Sequence, residues 1–540
     1  MTAEPLRIGL LIEGPLVSRH VQELVGWIHA QANMRLDHLF IRTRDVGSTR
    51  RSGAGLYAAF SRQVFRAIER AEEARLKRGS RYSDSTRKFD IRSVIPHVIE
   101  VPSGTSASPP MPDLPGSVQL DVLLAPEGDD ELERIAQVAR FGVWSVEYTG
   151  RPNACSGPVG FWEVFGRRDS TAFSICRHRS SPEAGKDELL RGRLPTRHYF
   201  ALNRTVLLER AHHYLKVLLE RTAKSGREQP PSRTALPDGE PPAGMPAAHH
   251  SFAYAAQMLG ASLRKRAQRL MGKEYCWEVS FARQRWTGAV LADAAVIENP
   301  AGRYIADPFV IRRDGRDICF VEDYDRRSGR GRISAFEMDG PAAICLGLVI
   351  EENFHLSFPY LFEFDGNLLM CPESSENRDV RVYRCVDFPM RWQLEKVIMS
   401  DVSAADSMLF EMEGRWWMLT NIDPCGSGDH CSELLAFHSR SPLDGDWTPH
   451  PNNPLLIDSC SARNGGLLRD GDRIFRVSQR QGFDRYGQGS QINEILELTE
   501  RDYREACAAT IRPSFRRGLV GTHHMHSSGG ITVFDSLKLS

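Results

Sequence analysis

The sequence predicts an α/β domain followed by an all-β domain that folds as a five-bladed β-propeller. Three observations lead to this fold class. Strands alternate with helices at the start of the chain, a Pro- and Gly-rich segment follows, and a hairpin motif then recurs about every 50 residues. The predicted domains are an α/β domain at 1–221, a flexible linker at 222–250, an amphipathic connecting helix at 251–275 and the propeller at 276–540.

The first domain is predicted from two strand-helix pairs. RIGLLIEG (7–14) is a continuous apolar strand, and VSRHVQELVGWIHAQ (17–31) has apolar residues at helical spacing. DVLLAP (121–126) is a second buried strand, followed by the helix ELERIAQVARFG (131–142). Strands that alternate with helices form a parallel sheet, so we expect a Rossmann-like domain.

Residues 222–250 lack apolar periodicity and cannot bury enough surface to compensate the entropy of ordering. The next segment predicts one amphipathic helix with a basic polar side at Arg264, Lys265, Arg266 and Arg269. A solvated helix packed on a neighbouring domain is the favoured interpretation, and contact with an anionic lipid surface is the alternative.

The propeller is predicted from four aligned hairpins, whose turn glycines are 51, 48 and 57 residues apart by subtraction of their numbers. A weaker fifth copy ends the chain (522–535), and CWEVSFARQ (276–284) is expected to close the ring. The four copies are IADPFVIRRDG (305–315), LSFPYLFEFDG (356–366), AADSMLFEMEG (404–414) and CSARNGGLLRDG (460–471).

Equivalent positions of the inner strands are expected to converge on the propeller channel. Asp307, Phe358, Asp406 and Arg463 lie eight residues before the turn glycines, and His523 lies near that position in the fifth copy. We predict Asp307, Asp406 and Arg463 as catalytic, because paired carboxylates beside a cation can hold different protonation states. The alternative is that these polar residues cap turns or bind channel water. The predicted substrate-binding residues are Glu322, Phe358, Glu373, Arg378, Asn421 and His523.

The ADPF motif and the five-bladed ring resemble glycoside hydrolase family 43. By this resemblance Asp307 corresponds to the general base and Asp406 to the residue that tunes its pKa. The family's third acid, a proton-donating glutamate, has no counterpart, because the fourth repeat has Arg463 instead. The resemblance therefore implies sugar chemistry without plain hydrolysis.

A closer resemblance covers nearly all of 276–540. The segments ADPFV, FVEDYD, GRGRI, HLSFPYLFE, PESSENR, SARNGG and INEI are similar to the propeller domain family of plant glucosamine inositolphosphorylceramide transferases and of bacterial surface-polysaccharide proteins. The family implies a sugar donor and a glycan or glycolipid acceptor. In the plant proteins the transferase chemistry is placed in another domain.

Residues 141–177 resemble the active-site segment of the formyltransferase N-terminal fold. That family uses an Asn, His and Asp set, but Glu147 and Tyr148 occupy the place of its His. We therefore expect a formyltransferase-type scaffold without formyl transfer from a folate.

Charge and cysteine content restrict the partners. Lys plus Arg and Asp plus Glu are equal at 69 each, so no nucleic-acid partner is predicted. The 11 cysteines are scattered without a CxxC pair, which favours a cytoplasmic location, with peripheral binding at the inner membrane face as the alternative. His523, His524 and His526 have Asp535 as their first acidic neighbour, so no metal is predicted. No cofactor is predicted other than a nucleotide-sugar donor.

Two hypotheses of function follow. The first is a glycosyltransferase-like enzyme of surface polysaccharide or glycolipid biosynthesis. In it, Asp307 activates an acceptor hydroxyl, Asp406 is its electrostatic partner, and Arg463 with His523 binds phosphate or developing negative charge. The second is a glycan-binding or scaffold protein without catalysis, and a residual family 43-like hydrolase is a third possibility. The oligomeric state is left open.

Overall fold

A computed structural model describes most of the chain and divides it into two compact units. Unit 1 comprises Met1–Gly192 and Thr196–Ser262, and unit 2 comprises Arg193–Pro195 and Leu263–Ser540. The described residues are 4–43, 53–76, 88–102, 119–126, 132–148, 157–180, 186–229 and 244–539.

Unit 1 contains a seven-stranded mixed sheet with the strand order β5-β3-β1-β6-β7-β8-β9. Strands β5, β3, β1, β6 and β7 run parallel, and β8 is antiparallel to β7. Strands β2 and β4 pair separately. The strands are β1 (Leu6–Glu13), β2 (Leu16–Ser18), β3 (Met34–Thr43), β4 (Lys88–Asp90), β5 (His97–Pro102), β6 (Val122–Ala125), β7 (Val143–Tyr148), β8 (Ser170–His178) and β9 (Lys186–Pro195).

The first predicted helix is observed, whereas the helix predicted at 131–142 is only a short helix at Leu132–Ile135 followed by a 3-10 turn at Ala136–Val138. The first begins at Arg19 rather than Val17, because Val17 pairs with Phe89 in the β2–β4 ladder. A mixed α/β unit is therefore confirmed, while the formyltransferase-type assignment stays a prediction. The helices are α1 (Arg19–His29), α2 (Gly53–Leu76), α3 (Leu132–Ile135), α4 (Phe161–Phe165), α5 (Phe200–Ser225) and α6 (Ala248–Leu270), with 3-10 turns at Ala136–Val138, Leu291–Asp293, Ser375–Asn377 and Pro513–Phe515.

The predicted linker 222–250 overlaps helices at both ends, since α5 continues to Ser225 and α6 starts at Ala248. Residues 230–243 lie outside the described residues, so the linker stays a prediction. Helix α6 covers 251–270 of the segment predicted as a connecting helix at 251–275, and the last residue of that segment, Tyr275, begins β10 (Tyr275–Ala282). None of the described helices combines the length and apolar content that a bilayer crossing requires.

Unit 2 is a five-bladed β-propeller, as predicted. Blades 1, 2 and 4 have four strands each in sequential order. Blade 3 has the order β20-β21-β22-β23, with β24 also paired to β22. The strands of the first four blades are β12 (Arg303–Arg313), β13 (Arg316–Asp325), β14 (Arg330–Asp339) and β15 (Ala342–Ile350); β16 (Ser357–Phe364), β17 (Asn367–Glu373), β18 (Asp379–Asp387) and β19 (Arg391–Ser400); β20 (Ala404–Met412), β21 (Arg415–Ile422), β22 (Glu433–Ser439), β23 (Thr448–Pro449) and β24 (Leu456–Ile457); β25 (Asn464–Asp470), β26 (Arg473–Gly482), β27 (Arg485–Leu498) and β28 (Tyr503–Ile511).

The fifth blade joins strands from both ends of the unit. The early strand β10 pairs antiparallel with β31, as the segment CWEVSFARQ predicted, and β30 pairs with β31 on its other side. Inner strands β12, β16, β20, β25 and β30 contact one another in succession, and β30 returns to β12, so the ring is closed. The strands are β10 (Tyr275–Ala282), β11 (Ala295–Val296), β29 (Leu519–Gly521), β30 (Met525–Ser528) and β31 (Ile531–Leu539).

Each inner strand of blades 1 to 4 contains a β-bulge at one level of the channel. The register shifts between Ala306 and Phe309 in blade 1, and at equivalent places in blades 2 to 4. The bulge residues Asp307, Phe358 and Asp406 have φ of 48°, 46° and 48°, in the left-handed region. Bulges redirect side chains and often accompany functional sites, so the repeat places these three residues in a special backbone conformation.

Candidate active site

Asp307 forms a buried ion-pair array with two residues of blade 5. Its Oδ1 lies 3.2 Å from Nε2 of His523, and Nδ1 of His523 lies 2.8 Å from Oδ2 of Asp535. Burial alone would lower the pKa of His523, but the Asp535 and Asp307 carboxylates outweigh it and raise this pKa to about 10. His523 is therefore an imidazolium at neutral pH, held between two carboxylates.

Asp535 fixes the geometry of this array. Its carboxylate accepts hydrogen bonds from the backbone N–H groups of Asp307 (3.3 Å), His523 (3.0 Å) and His524 (3.0 Å). Asp307, His523 and Asp535 also offer one ligand atom each within 4.8 Å of one another, as a metal site would. Because both ring nitrogens of His523 already face carboxylates and Asp535 holds three N–H donors, the residues fit a charge-paired histidine better than a bound cation.

Asp406 forms a second ion-pair array across the same channel. Arg463 donates from Nε to Oδ2 of Asp406 at 2.7 Å and from Nη2 to Oδ1 at 3.2 Å, and Nη2 also reaches Glu373 at 3.3 Å. Gln479 donates a further hydrogen bond to Asp406 at 3.0 Å. Arg463 thus holds two carboxyl groups of neighbouring blades together.

The carboxyl groups of this second array differ in proton affinity. Burial raises the pKa of Asp406, and the Glu373 carboxylate adds to that rise against the opposing charge of Arg463. Burial also opposes ionisation of Glu373, yet Arg463 and a hydrogen bond from Asp406 lower its pKa to about 2. The pair therefore shares a proton that resides on Asp406.

Glu322 supplies a protonated carboxyl group. Burial raises its pKa well above the ordinary value, and the nearby charges of Asp307 and Glu373 raise it further. Its side chain is 11% exposed, and Oε1 lies 3.5 Å from Nε2 of His355. In the fourth repeat, the resemblance to glycoside hydrolase family 43 calls for a proton-donating glutamate, but the sequence has Arg463 there. Glu322, predicted only as substrate-binding, has the protonation state that such a donor requires.

The remaining predicted site residues are placed differently. Phe358 is fully buried in the channel, where its ring packs against Phe309 and His524 at centroid distances of 5.0 and 5.3 Å. Asn421 is fully buried and braces two blades, because its amide donates to the carbonyls of Glu433 and Ala462. The structure does not bring Arg378 into the cluster: its guanidinium is exposed and pairs with Asp401 at 2.8 Å.

The predicted register position of Arg463, at the same level as Asp307 and Asp406, is wrong. In the fourth blade the bulge lies between Asn464 and Leu467, at Gly465 and Gly466, so Arg463 precedes the bulge instead of occupying it. The shift has two causes: the inner strand has one pair fewer between bulge and turn, and Gly471 is the first of the two turn residues, where Gly315 is the second. The side chain of Arg463 still reaches Asp406, since it is long enough to span the difference.

Two aromatic residues at the site were missed from the sequence. The Trp277 ring lies 4.0 Å from the His523 ring, and the Tyr486 ring lies 5.3 Å from the Arg463 guanidinium and 5.2 Å from His523. Tyr486 is 39% exposed. The residue that could have pointed to these aromatic side chains is Gly487, whose φ is 63°. A Cβ at this position would lie 2.9 Å from the Trp277 ring, so glycine is needed where the backbone passes this ring.

In unit 1, Glu147 and Tyr148 lie on β7 as buried residues. Glu147 pairs with Lys186 at 2.8 Å and lies 3.8 Å from His178, whose Nε2 contacts the Ser145 hydroxyl at 2.8 Å. Glu147, which the formyltransferase resemblance sets at the place of that family's His, is thus a buried residue that forms an ion pair with the more exposed Lys186.

Residues 276–518 match the family model described as glucosamine inositolphosphorylceramide transferase 1, N-terminal. This match covers most of the propeller. Curated relatives include glucosamine inositolphosphorylceramide transferase 1 of Arabidopsis thaliana, 36% identical over 208 residues, and that of Oryza sativa subsp. japonica, 33% identical over 210 residues. Each match covers 37% of this chain and 27% of the relative, so the chain spans about a quarter of the length of these proteins.

Solved structures with similarity to the chain include Zg3597, a family 117 glycoside hydrolase of Zobellia galactanivorans. That comparison has a TM-score of 0.33 at 12% identity and covers 49% of this chain and 91% of the other. The catalytic domain of the Coprinopsis cinerea family 62 α-L-arabinofuranosidase has a TM-score of 0.33 at 13% identity, covering 44% of this chain and 90% of the other.

Proposed function

We propose that the propeller is a carbohydrate-active domain that transfers a glycosyl group from an activated sugar donor to a hydroxyl group of a glycan or glycolipid acceptor. The observation that carries this proposal is the pair of ion-pair arrays in one channel, centred on Asp307 and Asp406. The plant relatives are named for glucosamine and inositolphosphorylceramide. From this name the proposal takes only the classes of a sugar donor and a glycolipid acceptor.

In the proposed reaction, Asp307 is the general base. Its Oδ1 faces His523, so Oδ2 is the atom that accepts the proton of the acceptor's hydroxyl group. As the acceptor oxygen forms its bond to the anomeric carbon, the bond from that carbon to the donor's phosphate oxygen breaks, and the phosphate leaves with the electron pair. The His523 imidazolium is the cation beside the base, and it stabilises the negative charge of the reacting groups.

Arg463 is better suited to positioning than to binding phosphate. Its Nε and Nη2 are already engaged by Asp406 and Glu373. The negative charge of Glu373 offsets the positive charge of the guanidinium, so little positive potential remains for a further anion. We therefore assign Arg463 the role of holding Asp406 and Glu373 in place, which differs from the phosphate-binding role predicted from the sequence.

Hydrolysis is a second candidate function, and Glu322 favours it. A base at Asp307 and a protonated carboxyl at Glu322 together form an acid and base pair of the kind used by glycosidases. In that reaction Glu322 would give its proton to the leaving oxygen while Asp307 activates water. In transfer, the same proton would hydrogen-bond a sugar hydroxyl group.

The test is a product assay of the whole chain with a panel of nucleotide sugars, lipid-linked and glycan acceptors, and aryl glycosides. Transfer predicts a larger acceptor by mass spectrometry, and hydrolysis predicts free sugar without an acceptor. Asp307→Asn should abolish either product while keeping affinity for the sugar. Sugar binding without any product in wild type would instead favour the glycan-binding hypothesis and overturn catalysis.

A further inference from the structure

Helix α6 is held to unit 1 along one face. Ser251, Tyr254 and Ala261 are buried on this face. The Tyr254 hydroxyl donates a hydrogen bond to Glu72 and accepts one from the backbone N–H of Phe200 at 2.9 Å. The opposite face of the helix is therefore turned outward.

That outward face is apolar. Phe252, Leu259, Leu263 and Leu270 are 56%, 62%, 59% and 81% exposed. Successive residues of a helix are turned by about 100°, and these four residues are seven, four and seven positions apart. They therefore lie within about 40° of one another around the helix axis. We call these four residues the α6 stripe. It extends over about 27 Å at 1.5 Å per residue, and a row of large exposed side chains of this length is unusual unless a partner covers it.

The last turns of α6 are strongly basic. Arg264, Lys265, Arg266 and Arg269 are exposed, and residues 264–273 include no acidic side chain. Lys265 forms an ion pair with Asp484 at 3.0 Å, at the surface. Arg266 lies about 40° around the helix from the stripe, close enough for its head group to reach past the apolar row.

We propose that the α6 stripe lies in the interface of an anionic lipid membrane, with the basic turns on the lipid phosphates. An apolar row beside a cluster of cations complements the acyl boundary and the anionic headgroups together. A second copy of the chain explains only the apolar row, because a parallel pairing would set the two basic clusters side by side. The proposal concerns α6 alone and does not rest on the proposed transferase activity.

The experiment is flotation of the full chain with vesicles of phosphatidylcholine, with and without 30% (~0.3 mole fraction) phosphatidylglycerol, a composition rich in anionic lipid. Binding is expected only to the anionic vesicles and should weaken in about 1 M salt. Arg264→Gln/Arg266→Gln should lower the partition coefficient roughly 30-fold, at about 1 kcal/mol per cation. Leu259→Ser/Leu263→Ser should lower it at least about tenfold.

Matched controls test whether the helix itself is responsible. Arg391→Gln/Lys396→Gln makes the same change of charge on exposed propeller residues, and Leu394→Ser/Leu496→Ser removes exposed leucines elsewhere. Both should bind as wild type does. The proposal is overturned if wild type stays unbound on anionic vesicles or if the helix variants bind equally well. It is also overturned if Leu259→Ser/Leu263→Ser converts a dimer to a monomer in sedimentation without any vesicle binding.

Discussion

The acidic residues of blades 1 and 3 share a backbone conformation and differ in their partners. Asp307 and Asp406 both lie at an inner-strand bulge with φ of 48°. Asp307 faces His523, a cation that can lose its proton, whereas Asp406 faces Arg463, which stays charged. The repeat thus decides where each carboxyl group lies, and the neighbouring blade decides which cation it pairs with.

We therefore assign acceptance of a proton to the array of Asp307, His523 and Asp535. The array of Asp406, Arg463 and Glu373 is assigned the role of positioning its carboxyl groups. An exchangeable proton beside a carboxylate suits acid-base chemistry. A fixed guanidinium that spans two carboxyl groups suits positioning, because it does not release charge during a reaction.

The largest effect is expected for Asp307→Asn. Loss of the base should lower kcat by about 10³-fold, since positioned general bases contribute about 10²- to 10⁴-fold. The measurement is the rate of product formation at saturating substrate. Asp314→Asn, an exposed turn residue of the same hairpin, is the control and should keep the wild-type rate. A rate for Asp307→Asn within about tenfold of wild type would contradict the assignment of the base.

Arg463→Met should be the most destabilising change. It leaves Asp406 and Glu373 buried without their cation, which costs about 3 to 5 kcal/mol of the free energy of unfolding. Chemical denaturation of the propeller measures this loss. Adding Glu373→Gln should recover part of it, because the uncompensated charge of Glu373 is removed. Arg469→Met, at an exposed arginine six residues away, is the control. Equal loss in the single and double variants would show that Arg463 does not hold the acids together.

His523 makes the stability of the propeller pH-dependent. Its folded pKa of about 10 exceeds the ordinary 6.5, so its contribution is complete below about pH 6.5 and is lost as the pH rises through about 10. The difference in unfolding free energy between wild type and His523→Gln should therefore shrink over that range. His249→Gln, an exposed histidine, should show no such trend. A difference that stays constant with pH would refute the charge pairing.

Glu322→Gln should stabilise the protein at neutral pH. The raised pKa of Glu322 means that folding takes up a proton there, which weakens stability above the ordinary carboxyl pKa. Glutamine removes this penalty, so the variant should be more stable than wild type at pH 7.5 and not at pH 4. Denaturation at the two pH values measures it. Glu376→Gln, an exposed acid of blade 2, is the control. A loss of stability at pH 7.5 would mean that Glu322 is ionised.

The smallest effect is expected at the aromatic residues beside the two arrays. Tyr486→Ala should raise KM for the sugar substrate about fivefold with little change in kcat, since a stacking contact is worth about 1 kcal/mol. Steady-state kinetics separates the two constants. Tyr275→Ala, 48% exposed on the same blade as Trp277, is the control. A fall in kcat alone would indicate that Tyr486 acts on the reacting groups instead.

The repeat made much of the propeller predictable. Four hairpins with aligned turn glycines located the blades, and CWEVSFARQ located the closing strand β10. The same alignment brought Asp307 and Asp406 to one channel. The alignment set Arg463 at the bulge position of the fourth blade. The bulge lies instead at Gly465 and Gly466, which the spacing of the turn glycines does not reveal. The alignment could not find Trp277, Tyr486 or Asp535, since none of them occupies the repeated position.

The two fold classes and the level at which the acidic residues enter the channel could be predicted from the amino-acid order, because strand alternation and repeat spacing are local properties of the chain. The protonation states could not be predicted in this way. They depend on burial and on charged groups that are distant in the chain, such as Asp307 and His523, whose Oδ1 and Nε2 lie 3.2 Å apart. Charge interactions fall off with distance in space. Their strength therefore follows from the closed ring and not from the order of residues.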